Sequence, residues 1–220
     1  SPYAFCASNP VRYSDPTGMD IFVFDKYGYL IRSESTKVDR VYVKYENSDF
    51  VMSKSMPKGT ISMNRRVSKS GKSFGYLEIK GDNNGREVFK TLACGTKVEF
   101  TLMQTGEFGD QGRNLITTSN DQIGEENAKY VMNEVIGANE KLRNHIHNHP
   151  SGALSPSMED IEVAKQVEKK FPGVVMSIYS AITNELLGNE VEYNSNTKVI
   201  ELDEYIFNNL MEIDRKAGRL

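Results

Sequence analysis

Hydrophobic and polar positions along the first third of the chain alternate in short runs. Residues 20–24, 29–31 and 41–45 are β-branched and aromatic, separated by Lys26-Tyr27-Gly28 and by Ser, Thr and Asp clusters. This pattern predicts a hairpin and a further strand. Residues 53–73 are rich in Lys, Ser, Gly and Arg with no clear period, so a long loop is expected there. A soft boundary falls near Gly81 to Gly85, and no internal repeat is visible.

The rest of the chain mixes both periods. A short helix is expected over 86–92, with Val88, Phe89 and Leu92 on one side, and strands over 98–103 and 114–118. Ala128, Val131, Met132, Val135 and Ile136 form an amphipathic helix stripe. His145, His147 and His149 alternate with Ile146 and Asn148, so an extended segment aims all three imidazoles to one side. A helix beginning at Pro156 or Ser157 buries Ile161, Ala164, Val167 and Phe171 and stops at Pro172-Gly173. Residues 174–179 read as a strand. Residues 190–193 and 198–200 read as a hairpin around Asn194-Ser195-Asn196, and Leu202, Ile206, Leu210 and Ile213 as a closing helix. The fold class is therefore mixed, α+β or α/β.

Composition narrows the function. The chain has 220 residues, 38% of them hydrophobic and none Trp, an ordinary globular profile long enough to bury a core. A formal net charge of -3 gives no basic surplus, which argues against a large nucleic-acid footprint. No apolar run is long enough to span a bilayer, and Ser1-Pro2-Tyr3-Ala4-Phe5 lacks the layout of a signal peptide, so no membrane or export segment is expected within these residues. The opening reads as the interior of a longer polypeptide. Cys6 and Cys94 lack a paired spacing and are expected to be free thiols.

All three histidines lie within one five-residue stretch. Two imidazoles at i and i+2 on a strand offer a divalent cation two nitrogens on one side, and a carboxylate from the next element completes a His2Asp set. Asp160 stands at the right distance: from His147-Asn148-His149, seven residues lead to Ser157 and two more to Asp160. This H-x-H-x7-S-x2-D pattern, with Pro150, Ser151, Gly152 and Pro156, resembles the JAMM (JAB-like, MPN) hydrolases. Ser157 and Asp160 also fit a helix capping box. The histidine pair ahead of them favours the metal role.

The resemblance implies a JAMM-type (cytidine-deaminase-like) mixed sheet flanked by helices, preceded by a small β-rich segment. It also implies zinc held by His147, His149 and Asp160. An upstream glutamate is expected to move the proton, and Glu99, followed by Phe100 and Gly106, is similar to it, with Glu107 and Glu87 as competitors. Ser157 resembles the serine that donates to the developing oxyanion. His145 is extra to the motif: a hydrogen-bonding neighbour, a surface residue or an alternative ligand. Asn148 stands where many members have Ser or Thr, and no insertion resembles those that grip ubiquitin, so deubiquitinase specificity is not carried over.

Pro10, Asp15, Pro16 and Gly18 match the P-x4-D-P-x-G end of an RHS-repeat core, after which that family places a variable toxin. The expected layout is residues 1–19 as the end of the core, 20–84 as a β-rich subdomain and 85–220 as the JAB-like metalloprotease. The expected activity is that of a peptidase or isopeptidase toxin, secreted or delivered to the recipient cytoplasm. It would act on a protein substrate, pair with a cognate immunity protein and need no nucleic acid or membrane. The alternatives are a metal-dependent nuclease and a non-catalytic binding module with the same fold.

Overall fold

The computed structural model describes residues 21–199 apart from 35, 45–49, 121–125 and 185–187. The RHS-like motif and the expected closing helix lie outside the described residues. Two sheets make up the frame. The smaller contains β1 (Ile21–Asp25), β2 (Leu30–Glu34), β3 (Val38–Lys44) and β4 (Phe50–Met52) in the order β2-β1-β3-β4, with β5 (Met56–Pro57) paired to β3. The β1–β2 hairpin appears where the apolar runs place it.

The larger sheet has seven strands: β6 (Ile61–Val67), β7 (Ser73–Lys80), β8 (Thr101–Thr105), β9 (Arg113–Thr117), β10 (Leu142–Asn148), β11 (Val175–Asn184) and β12 (Gly188–Tyr193). Their order is β12-β11-β10-β8-β9-β7-β6, and every neighbouring pair is antiparallel except β10–β11. The expected loop over 53–73 is thus corrected, because β6 pairs with β7 in an unbroken register from Ile61↔Ile79 to Val67↔Ser73. As the edge strand, β6 buries Ile61 and turns Arg65, Arg66 and Val67 to solvent, so it shows no apolar alternation. The sequence boundary near Gly81 to Gly85 falls inside this sheet's connections. A second correction concerns 190–193, whose strand pairs with β11, while Lys198 and Val199 are in no strand.

Among the described residues three α-helices cover the sheet. Helix α1 (Asp82–Gly95) is longer than the 86–92 expected, since Asn83, Asn84 and Gly85 are weak helix formers that tertiary packing overrides. Gly85 rests on Asn114, where an added Cβ would sit 2.3 Å from the amide carbon, and Gly95 rests on Val43 at 2.6 Å. Helices α2 (Glu126–Glu134) and α3 (Met158–Lys170) lie on the other face. One core joins Phe22, Phe24, Val41 and Val43 of the small sheet to Val88, Phe89 and Leu92 of α1 and to Leu102, Ile116 and Ile146. A second joins Met103, Leu115 and Ile178 to Val131 and Met132 of α2 and to Ile161, Ala164 and Val167 of α3. Among the described residues no helix is long and apolar enough to cross a membrane.

Helix α3 is the crossover between the parallel strands β10 and β11. Its N-terminus therefore sits beyond the carboxyl end of β10, the edge where α/β sheets place ligands.

Candidate metal centre

Strand β10 runs through the middle of the large sheet and is buried along nearly its whole length. Alternation sends Ile146 into the α1 core and His147 toward the α3 side, where its ring stands edge-on to Tyr193 at 5.9 Å. His149 lies one residue past the strand. There the chain turns, with Gly152 at φ 81° and its N–H donating to the His149 carbonyl at 2.9 Å. The turn leads to Ser157, the N-cap of α3, and Asp160 follows in the helix's first turn.

Ser157 and Asp160 form a full capping box. The Asp160 N–H donates to Ser157 Oγ at 3.1 Å, and the Ser157 N–H donates to Asp160 Oδ2 at 2.6 Å. The cap does not exclude the metal role. Asp160 Oδ1 lies 3.2 Å from His147 Nε2, Oδ2 lies 3.4 Å from His149 Nε2, and the two Nε2 atoms are 3.0 Å apart. Among the described residues, His147, His149 and Asp160 are the group whose donor atoms converge closely enough to hold one ion.

These distances test the fit. A tetrahedral ion with ligands at about 2.0–2.1 Å separates its donors by roughly 3.3 Å; the three contacts bracket that value, with His147 facing Oδ1 and His149 facing Oδ2 of the Asp160 carboxylate. Two imidazole nitrogens and a carboxylate are also a donor set that hydrolytic zinc uses. His149 Nδ1 lies 3.0 Å from the Ala153 carbonyl oxygen. A carbonyl only accepts, so Nδ1 carries a proton, and Nε2 is the ring nitrogen that faces the cluster.

Burial by itself would raise the Asp160 carboxyl. Hydrogen bonds from His147 and His149, the charge of His147 and the Ser157 N–H outweigh it and hold the group well below the usual carboxylate range. The α3 N-terminus favours the same ionised form.

Glu99 reaches the cluster from the segment just before β8. The β8–β10 register pairs His147 with Thr101, and continuing it by two residues sets Glu99 opposite His149. The Glu99 side chain is 10% exposed, and its Oε1 lies 3.9 Å from His149 Nε2. Neither competitor is there: Glu87 Oε1 accepts the Lys54 N–H at 2.9 Å, and Glu107 is exposed. His145 faces the same side as His147 and is fully buried, between Met103 of β8 and Met176 of β11, outside the three-donor group.

Sequence reasoning treated Asn148 only as a departure from the motif. In the fold its side chain ties β10 to the segment carrying Glu99: Oδ1 accepts the Phe100 N–H at 2.8 Å and Nδ2 donates to the Val98 carbonyl at 3.2 Å. An amide two residues on from Ile146, on the strand face that turns into the α1 core, was the available signal.

Residues 77–166 match a family model described as JAB-like toxin 1. UPF0758 proteins from two strains of Chloroflexus aurantiacus are each 30% identical over 91 residues, which cover 41% of this chain and 35% of the relative. The chain thus spans about a third of the length of these curated relatives. No solved structure gives a significant match. The span similar to the JAB-like toxins runs from β7 into α3 and contains Glu99, His147, His149, Ser157 and Asp160 together.

Proposed function

We propose that the chain is a zinc-dependent hydrolase of JAMM type, a peptidase or isopeptidase serving as the toxic tip of an RHS-repeat polymorphic toxin. The observation that carries this reading is the convergence of His147, His149 and Asp160 at tetrahedral-edge distances with Glu99 on one flank. The toxin part rests on the JAB-like toxin match and on the RHS-like residues Pro10, Asp15, Pro16 and Gly18.

A zinc ion held by His147, His149 and Asp160 would supply Lewis-acid chemistry that favours attack by water near neutral pH. The protein's own groups do the rest. His149, oriented through Nδ1 by the Ala153 carbonyl, and His147, fixed in the sheet, hold their Nε2 atoms in place before binding. The Glu99 carboxylate takes a proton from the attacking water and returns it to the leaving nitrogen. Ser157 Oγ accepts from the Asp160 amide, which leaves its own O–H to donate to the oxyanion that develops on the scissile carbonyl. The substrate is a protein amide or isopeptide in the recipient cytoplasm, and a cognate immunity protein protects the producer.

The deciding experiment is metal analysis of the purified chain beside His147→Ala and Asp160→Ala. One zinc per wild-type chain and none in either variant is the expected result. A wild-type chain that takes up no divalent ion sinks the reading. Expression in a bacterial cytoplasm then tests toxicity, which Glu99→Gln should abolish.

A further inference from the structure

We infer that the β1–β2 hairpin, outside the JAB-like span, is a working part of the metal centre: its tip fixes the backbone that carries Glu99 and so sets where the Glu99 carboxylate stands. This rests on the reading of Glu99 as the proton-transfer group.

Residues 97–100 precede β8 and belong to no strand. Backbone of that kind must find its hydrogen bonds elsewhere, and here they come from three directions. From the hairpin, the Lys26 carbonyl accepts the Lys97 N–H at 2.8 Å, and the Tyr27 carbonyl accepts Asn120 Nδ2 at 3.0 Å. From β10, Asn148 holds Val98 and Phe100, its own N–H also donating to the Phe100 carbonyl at 3.2 Å. From the end of β9, Thr118 Oγ1 donates to the Glu99 carbonyl at 2.6 Å and accepts the Asn120 N–H at 3.0 Å.

The hairpin contact is close. Gly28 at its tip has φ 74°, and a Cβ added there would lie 2.8 Å from Val98 Cγ2, 3.1 Å from Asn120 Nδ2 and 3.3 Å from Phe100 Cζ. Val98 and Phe100 flank Glu99 in sequence, so any residue larger than glycine pushes on both neighbours of the carboxylate's own backbone. The anchors from β10 and β9 lie within the span shared with the JAB-like toxins, whereas the hairpin does not. The small sheet thereby closes a brace around a group whose displacement by about 1 Å is enough to lower a rate 100-fold. Gly28 and Asn120 are positioning residues, acting through Glu99.

The test uses the full chain loaded with Co2+, whose visible absorption reports the geometry and solvent at the metal. Gly28→Val and Asn120→Ala are compared with Glu99→Gln, with the double variant Gly28→Val/Glu99→Gln, and with Gly85→Ala, a packing change on α1. Both hairpin variants should bind Co2+ with wild-type stoichiometry and shift the absorption bands as Glu99→Gln does. The double variant should add no further shift, and Gly85→Ala should leave the bands in place. Asn120→Ala carries the comparison if Gly28→Val does not fold. A wild-type spectrum in every folded hairpin variant overturns the inference. A wild-type chain that takes up no Co2+ instead removes the metal-centre reading, and the inference falls with it.

Discussion

Ser157 and Asp160 hold each other's backbone N–H across the first turn of α3, while Asp160 keeps one carboxylate oxygen for His147 at 3.2 Å. A structural cap and the carboxylate that faces both histidines are therefore the same side chain. The helix that orients Asp160 is started by the group it orients.

The two roles separate by substitution. Asp160→Asn keeps an oxygen to accept the Ser157 N–H but loses the charge, so metal affinity should fall by orders of magnitude, and the metal-free protein should also lose the stability that the ionised carboxylate gives it at neutral pH. Ser157→Ala should lower the stability of the metal-free protein by about 1 kcal/mol, the usual worth of an N-cap. Thermal unfolding in chelator and zinc titration check the two effects. A metal affinity lowered as far by Ser157→Ala as by Asp160→Asn would refute the separation.

Zinc should stabilise the folded chain, because the three donors converge only in the native state. At an ion concentration of about 100 times the dissociation constant, the gain is about 2.7 kcal/mol. His149→Ala and His147→Ala should show no such gain. Tm with and without a chelator measures it.

Glu99→Gln keeps size and hydrogen bonding yet cannot take a proton. Loss of general acid–base help is worth about 100- to 10,000-fold, so kcat on an unfolded protein such as casein should fall within that range while one zinc per chain is retained. Unchanged kcat would pass the proton-transfer role to another group.

Packing of α1 has its own test. Gly85→Ala sets a Cβ 2.3 Å from the Asn114 amide carbon, and Gly95→Ala sets one 2.6 Å from Val43 Cβ. Asn114 is itself fixed, receiving Gln104 Nε2 at 2.8 Å and donating to the Ile79 and Gly81 carbonyls. Each substitution should destabilise by about 1–3 kcal/mol, the usual range for overpacking. Urea unfolding measures this, and wild-type stability in either variant contradicts the close approach.

At the opposite edge of the sheet, burial alone would raise the Glu140 carboxyl, but hydrogen bonds from Thr105, Arg113 and the Gly137 N–H lower it below the ordinary glutamate range. A carboxyl depressed in the folded state contributes stability above its unfolded pKa, near 4.3, and loses it as pH falls through the folded value. Glu140→Gln should therefore be less stable than wild type at neutral pH, and the gap should close in acid below that point. A gap that stays constant down to acid pH would show that the ionised carboxylate is not what stabilises.

Much of the site was legible in the sequence because its parts are close together in the chain. Strand alternation aims His147 and His149 to one side, a cap signal starts α3, and fourteen residues hold both histidines and Asp160. Local periodicity also marked the β1–β2 hairpin, α2 and α3, whose apolar positions recur at their own spacing. The tertiary structure decided what depends on distant pairing. Edge strand β6 needs to bury only Ile61, so its polar outer half looks like a loop until β7 lies beside it. Glu99 is set apart from Glu87, on α1, and from Glu107, past the far end of β8, by the pairing of β8 with β10 that brings it opposite His149. Asn148 meets the Val98 backbone and Gly28 the Val98 side chain, next to Glu99, across 50 and 70 residues of chain. No local pattern encodes such contacts, because they exist only after the two sheets have closed on a common core.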